Sequence, residues 1–60
     1  MAKFKIGDII TAKEVNRGFQ RAVVTGFTKI KNKDLYVLKI ARGVATIPIA
    51  IEDCYEIVNN

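Results

Sequence analysis

The sequence predicts an all-β fold of five short strands with one 3₁₀ turn before the last strand. Apolar residues never recur at helical spacing for long enough to build an amphipathic helix. Instead, β-branched and aromatic residues come in short runs, and pairs such as Gly7-Asp8 and Arg42-Gly43 punctuate them. A chain of 60 residues, half of them hydrophobic and 27% charged, has room for one core, so a single domain over residues 1–60 is expected. Stability then rests on modest packing or on help from self-association.

The first run covers residues 4–12 and is bent at Gly7-Asp8, where Gly tolerates positive φ and Asp bonds nearby amides. Phe4, Ile6 and Ile9 are its expected core residues. Residues 13–19 carry Asn16, Arg17 and Gly18 without alternation and read as an exposed loop. A second strand over about residues 20–28 turns Ala22, Val24 and Phe27 inward, with a bulge near Gly26 resetting the alternation. Residues 29–34 form a Lys-rich polar loop.

The third strand, residues 35–40, places Tyr36, Leu38 and Ile40 on one face and Leu35, Val37 and Lys39 on the other, and both faces are substantially apolar. A tight turn at Ala41-Arg42-Gly43 leads into residues 44–49, where Ala45, Ile47 and Ile49 alternate with Thr46 and Pro48. Pro48 donates nothing to a ladder, so its strand ends there or lies at an edge. A 3₁₀ turn over residues 50–54 and a last strand over residues 55–58 follow, before the tail Asn59-Asn60.

The residue types that are missing narrow the function. The chain has no His and one Cys, which removes His-based acid–base catalysis, zinc sites of the usual kind and any internal disulfide. Cys54 reads as a small buried core residue. Glu52, Asp53 and Glu56 sit in a turn and a final strand, where capping and solubility account for them. No enzyme activity, cofactor or metal is expected. The longest apolar run, residues 44–51, is far short of the roughly 18 residues of a membrane span and is broken by Thr46 and Pro48. The opening Met1-Ala2-Lys3-Phe4-Lys5 lacks the apolar stretch of a signal peptide, so a soluble cytoplasmic protein with no membrane partner is expected.

Charge is unevenly spread. All ten Lys and Arg lie in residues 1–42, with Asp8, Glu14 and Asp34, whereas the remainder carries only Glu52, Asp53 and Glu56. Arg17, Arg21, Lys29, Lys31, Lys33 and Arg42 are therefore the candidate phosphate contacts of a nucleic-acid-binding face, with Phe19 as a stacking residue. In the plainer alternative these cations keep a small apolar fold soluble and discourage edge pairing, and Phe19 caps one end of the core. Tyr36 and Tyr55 place their rings in the core and their hydroxyls at its rim.

The order of five strands, a long first loop, a polar second loop, a tight third hairpin and a 3₁₀ turn resembles a Src-homology-3-like small barrel over the whole chain. The opening Phe4-Lys5-Ile6-Gly7-Asp8-Ile9-Ile10 and the closing stretch from Ile47 to Val58 carry the resemblance. It implies that the first two loops lie on the same side of the barrel. It also suggests a bacterial or phage accessory protein. Proline-rich peptide recognition needs an aromatic groove, and this chain has no Trp and only Phe4, Phe19, Phe27, Tyr36 and Tyr55. The layout is also similar to the type II dihydrofolate reductases, which have a Gln-Ile-Tyr segment before the corresponding Pro. Here Ala45-Thr46-Ile47 precedes Pro48, so the polar groups for folate and nicotinamide are missing and the activity does not carry over. Barrels packing side by side is the property that does.

Fold alone does not assign function. The leading expectation is a non-enzymatic module that binds DNA or RNA through the basic loops. Its competitor is a protein-interaction module or homo-oligomer that uses Ile30, Leu35 and Val37, apolar residues with no place inside so small a barrel.

Overall fold

The computed structural model describes residues 2–14 and 21–58. They form one five-stranded antiparallel sheet: β1 (Ile9–Ala12), β2 (Ala22–Ile30), β3 (Lys33–Ile40), β4 (Gly43–Pro48) and β5 (Tyr55–Ile57), with a 3₁₀ helix, η1 (Ile49–Cys54), between β4 and β5. The spatial order is β4-β3-β2-β1-β5. The all-β class and the 3₁₀ element before the last strand are as the sequence predicts. β4 and β5 are the two edges, and η1 links them where a closed barrel would have a ladder.

Alternation along the strands gives the sheet an inner face and an outer face. On the inner face Phe4, Ile10, Ala22, Val24, Tyr36, Leu38 and Ile47 form the buried core, and Ile40, Ile49 and Tyr55 pack against it. The cross-strand layers are Phe27–Tyr36–Ile47 and Val24–Leu38–Ala45. Val24 and Phe27 share a face although three residues apart because the register shifts between Val24 and Gly26, the expected bulge. Where the ladder is interrupted, the Thr25 hydroxyl donates to the Val37 carbonyl at 3.2 Å. Phe27 sits on the predicted side with its ring 5.4 Å from that of Tyr36, but at the margin of the core, and it stays half exposed.

The bend before β1 changes which isoleucine faces inward. The Asp8 amide donates to the Lys5 carbonyl at 3.0 Å, the Asp8 carboxylate accepts the Lys5 amide at 3.0 Å, and Gly7 has φ +99. This turn throws Ile6 out to 64% exposure, and alternation restarts beyond it, so Ile10 rather than Ile9 is fully buried. The expected core roles of Ile6 and Ile9 are thus corrected. Phe4 is buried as expected.

Two further expectations change. The Lys-rich loop over residues 29–34 is a tight turn of Lys31 and Asn32 alone, both at positive φ (50 and 66), with β2 running to Ile30 and β3 starting at Lys33. Positive φ at both central residues matches the right-handed twist of the flanking strands, which is why so short a connection suffices. Cys54 is exposed, not buried. It ends a 3₁₀ helix that has no buried residue and that turns inward through Ile49, at the other end of the element from the thiol.

Candidate nucleic-acid interface

The outer face of β2, β3 and β4 follows from the register. Beyond the bulge, Thr28 lies opposite Leu35 and Ile30 opposite Lys33; before it, Val23 lies opposite Lys39. On the other side of β3, Leu35 faces Pro48, Val37 faces Thr46 and Lys39 faces Val44. The face therefore reads, from one end to the other, as Lys39 between Val23 and Val44, then Val37 beside Thr46, then Leu35 between Thr28 and Pro48, then Ile30 beside Lys33.

Exposure along this face is graded. Leu35 is only 8% exposed, and Val37 is half buried. Val23, Ile30 and Val44 are exposed, Val44 most of all at 73%. Lys33 and Lys39 are exposed at either end. They are six residues apart on one strand, about 20 Å at strand rise.

No carboxylate interrupts the face among the described residues. The one acid on β2, β3 or β4 is Asp34, which lies opposite Lys29 and alternates to the other side. The remaining acids are remote in the fold: Asp8 is tied into the turn before β1, Glu14 follows β1 and lines a groove with Ile51 and Tyr55, Glu52 and Asp53 lie on η1, and Glu56 is on β5 opposite Thr11.

The predicted cations divide into two groups. Arg21 is exposed immediately before β2, and Arg42 is exposed in the β3–β4 turn; both therefore sit at the Lys39 end of the sheet. Lys29, Lys31 and Lys33 are exposed at the opposite end, around the β2–β3 turn. Arg21 and the Lys29–Lys33 group are thus not neighbours, because they stand at opposite ends of β2, about 26 Å apart along an extended strand. Arg17 and Phe19 lie outside the described residues. Lys39, a strand residue outside the basic loops, sits between Val23 and Val44 at the Arg21–Arg42 end. The strand alternation that pairs it with Leu35 and Val37 was the signal that could have found it.

Of the protein-interaction candidates, Ile30 is exposed at the β2 terminus, Val37 is half buried and Leu35 is buried. Elsewhere, a groove of about 280 Å³ is lined by Ala12, Lys13, Ile51, Cys54 and Tyr55, among others. Among the described residues there is no group of three His, Cys, Asp or Glu that could hold a metal ion, and no helix is long and apolar enough to cross a membrane. Compared with family models, curated proteins and solved structures, the chain matches none, so what this face does has to be argued from its own residues.

Proposed function

We propose that the protein is a non-enzymatic nucleic-acid-binding module of Src-homology-3-like build that lays the outer face of β2, β3 and β4 along a phosphate backbone. One observation carries the reading: this face has Lys33 and Lys39 at its ends, Arg21 and Arg42 beside Lys39 and Lys31 beside Lys33, with no carboxylate between them. Cations spaced over about 20 Å span roughly six steps of a duplex strand, and each phosphate neutralised releases a counterion. Thr25, Thr28 and Thr46 supply short hydroxyls to the same face. Val23, Ile30 and Val44 supply apolar contact without closing the surface to water.

The arrangement holds the nucleic acid by charge and shape and offers few groups for reading base edges, so weak sequence preference and strong salt dependence are expected. A heteronuclear NMR titration with a mixed-sequence duplex and a single strand at low salt tests it. Shifts at Val23, Lys33, Val37, Lys39 and Arg42 that fade as salt rises support the reading, and an unchanged spectrum at low salt removes it.

A protein partner on the same face is the second reading, favoured by the exposed Val23, Ile30 and Val44. It predicts binding that survives salt.

A further inference from the structure

β4 and β5 are both sheet edges, but they are built differently. β5 is three residues long and carries Glu56, two features that discourage pairing with another chain. β4 is six residues, Gly43–Pro48, and no charged residue occurs between Arg42 and Glu52. Its sequence Val-Ala-Thr-Ile favours strand formation, and it pairs with β3 alone.

The direction of its unused backbone groups can be deduced. Pro48 has no N–H, so the Leu35–Pro48 pair cannot exchange both hydrogen bonds. Bonded and non-bonded pairs alternate along an antiparallel ladder, so Val37–Thr46 and Lys39–Val44 are non-bonded as well. The amides and carbonyls of Val44 and Thr46 consequently point away from β3, towards the open edge. Both residues are exposed.

We infer that β4 is a self-complementary edge that pairs antiparallel with β4 of a second copy of this chain, about a two-fold axis through Ala45. In that register Val44 exchanges both backbone hydrogen bonds with Thr46 of the second copy, and Thr46 does the same with Val44. Pro48 falls opposite Arg42, where its lack of an N–H costs little at the end of the pairing. The same register brings unlike charges to the same end: Arg42 of one copy lies beside the start of η1 of the other, the element that carries Glu52, already held by Tyr36 and Lys3, and Asp53, whose side chain is exposed. Val44, the most exposed large apolar side chain in the described residues, is covered by Thr46 and joins a continuous outer face running through both copies. A second copy fits better than an unrelated strand because the uncharged edge and the opposed charges at its ends come from one sequence and match only when that sequence is reversed upon itself.

Sedimentation velocity from micromolar to millimolar protein tests this, together with the exposed-position variant Val44→Lys/Thr46→Lys and the cross-linking variant Ala45→Cys/Cys54→Ser. The two Ala45 Cα atoms would be about 4.5 Å apart as a non-bonded pair, within reach of a disulfide. The expected result is a monomer–dimer equilibrium, weakened at least about tenfold by the paired lysines, and a covalent dimer of native circular dichroism after oxidation of the cysteine variant. A monomer at millimolar concentration, or a dimer lacking either response, overturns the proposal. Should the paired lysines disturb the fold, Thr46→Lys alone and the cross-link decide it.

Discussion

The Tyr36 hydroxyl donates to Glu52 Oε1 at 2.5 Å while it accepts the backbone amides of Lys3 at 2.9 Å and Phe4 at 3.1 Å. A phenol has one proton to give, and all its polar capacity is used here. Lys3 N also donates to Glu52 Oε1 at 2.7 Å, so the segment before β1, the centre of the sheet and η1 meet at one point. Because the Tyr36 ring stands fully buried between Phe4 and Phe27, the hydroxyl has little freedom to move away. The nearby pair Lys3 Nζ–Asp53 Oδ1, at 3.5 Å and exposed, adds little to this latch.

Tyr36→Phe keeps the ring and removes the hydroxyl. The buried Phe4 amide then loses its acceptor, a loss worth about 1–3 kcal/mol. Urea denaturation should show a lower midpoint with an unchanged slope. An unchanged midpoint would mean that water replaces the hydroxyl at no cost.

Acid should loosen the same latch. The Tyr36 hydroxyl, and after it the Lys3 amide, hold the Glu52 carboxyl below its ordinary value. A carboxyl depressed in the folded state contributes stability that is complete above its unfolded value, about 4.3, and is lost as pH falls through the folded one. Glu52→Gln should therefore flatten the fall of stability below about pH 4.3 relative to the parent chain. At the other extreme, burial and then the hydrogen bond to Glu52 push the Tyr36 hydroxyl upwards. Its contribution is present below the unfolded value, about 10, and is lost as pH rises through the folded one. Thermal melts from acid to alkaline pH measure both limbs.

Two glycines should respond in opposite directions to the same substitution. Gly7 has φ +99, and a side chain there would meet no atom within 4 Å, so the cost of Gly7→Ala is backbone strain alone, about 1–2 kcal/mol. Gly26 also has open space but no positive φ in the left-handed range. There, Ala restricts the unfolded chain without straining the folded one, and a gain of about 0.4–1 kcal/mol is expected. Chemical denaturation of the two variants beside the parent compares them directly.

For the proposed interface, Lys39→Ala should weaken oligonucleotide binding at low salt and reduce the slope of log affinity against log salt by about one unit. Lys5→Ala, exposed but off this face, should leave the slope unchanged. Fluorescence anisotropy over a salt series reads both. Equal effects from the two would place the binding elsewhere.

The strand pattern was legible in the sequence wherever alternation was undisturbed. Val24, Tyr36, Leu38 and Ile47 could be placed inward by period alone, and the bulge announced itself because Val24 and Phe27 cannot otherwise share a side. What was lost lay beside positive-φ turns. A turn at Gly7 resets parity without leaving a mark on the residues after it, so alternation counted from Phe4 points to Ile9 where the fold buries Ile10. A Lys at positive φ is uncommon enough that Lys31-Asn32 read as part of a longer loop. Cys54 departs from expectation because composition favours burial of a free thiol, whereas η1 turns inward through Ile49 and ends on Cys54 in the open. For the candidate site, the sequence groups cations by loop and brings Arg21 and Lys31 to one side, whereas the fold sets them at opposite ends of β2 and places Lys39, a strand residue, beside Arg21.

Consecutive strands β2, β3 and β4 are joined by two tight turns, but Ile10 pairs with Ile57, and Lys3 reaches Glu52, only after nearly the whole chain has been laid down. Contacts that close long stretches of chain form late and cost most in chain entropy, while neighbouring hairpins can zip early. The molecule is thus a meander that can zip up locally, with a clasp fastened last. When the fold breathes, the clasp is where it opens first, freeing β1 and β5 while the proposed binding face keeps its shape. Amide hydrogens at Lys13 and Val58, which bond across β1 and β5 to the carbonyls of Cys54 and Ile9, should then exchange ahead of those at Tyr36 and Leu38 in the β3–β4 ladder.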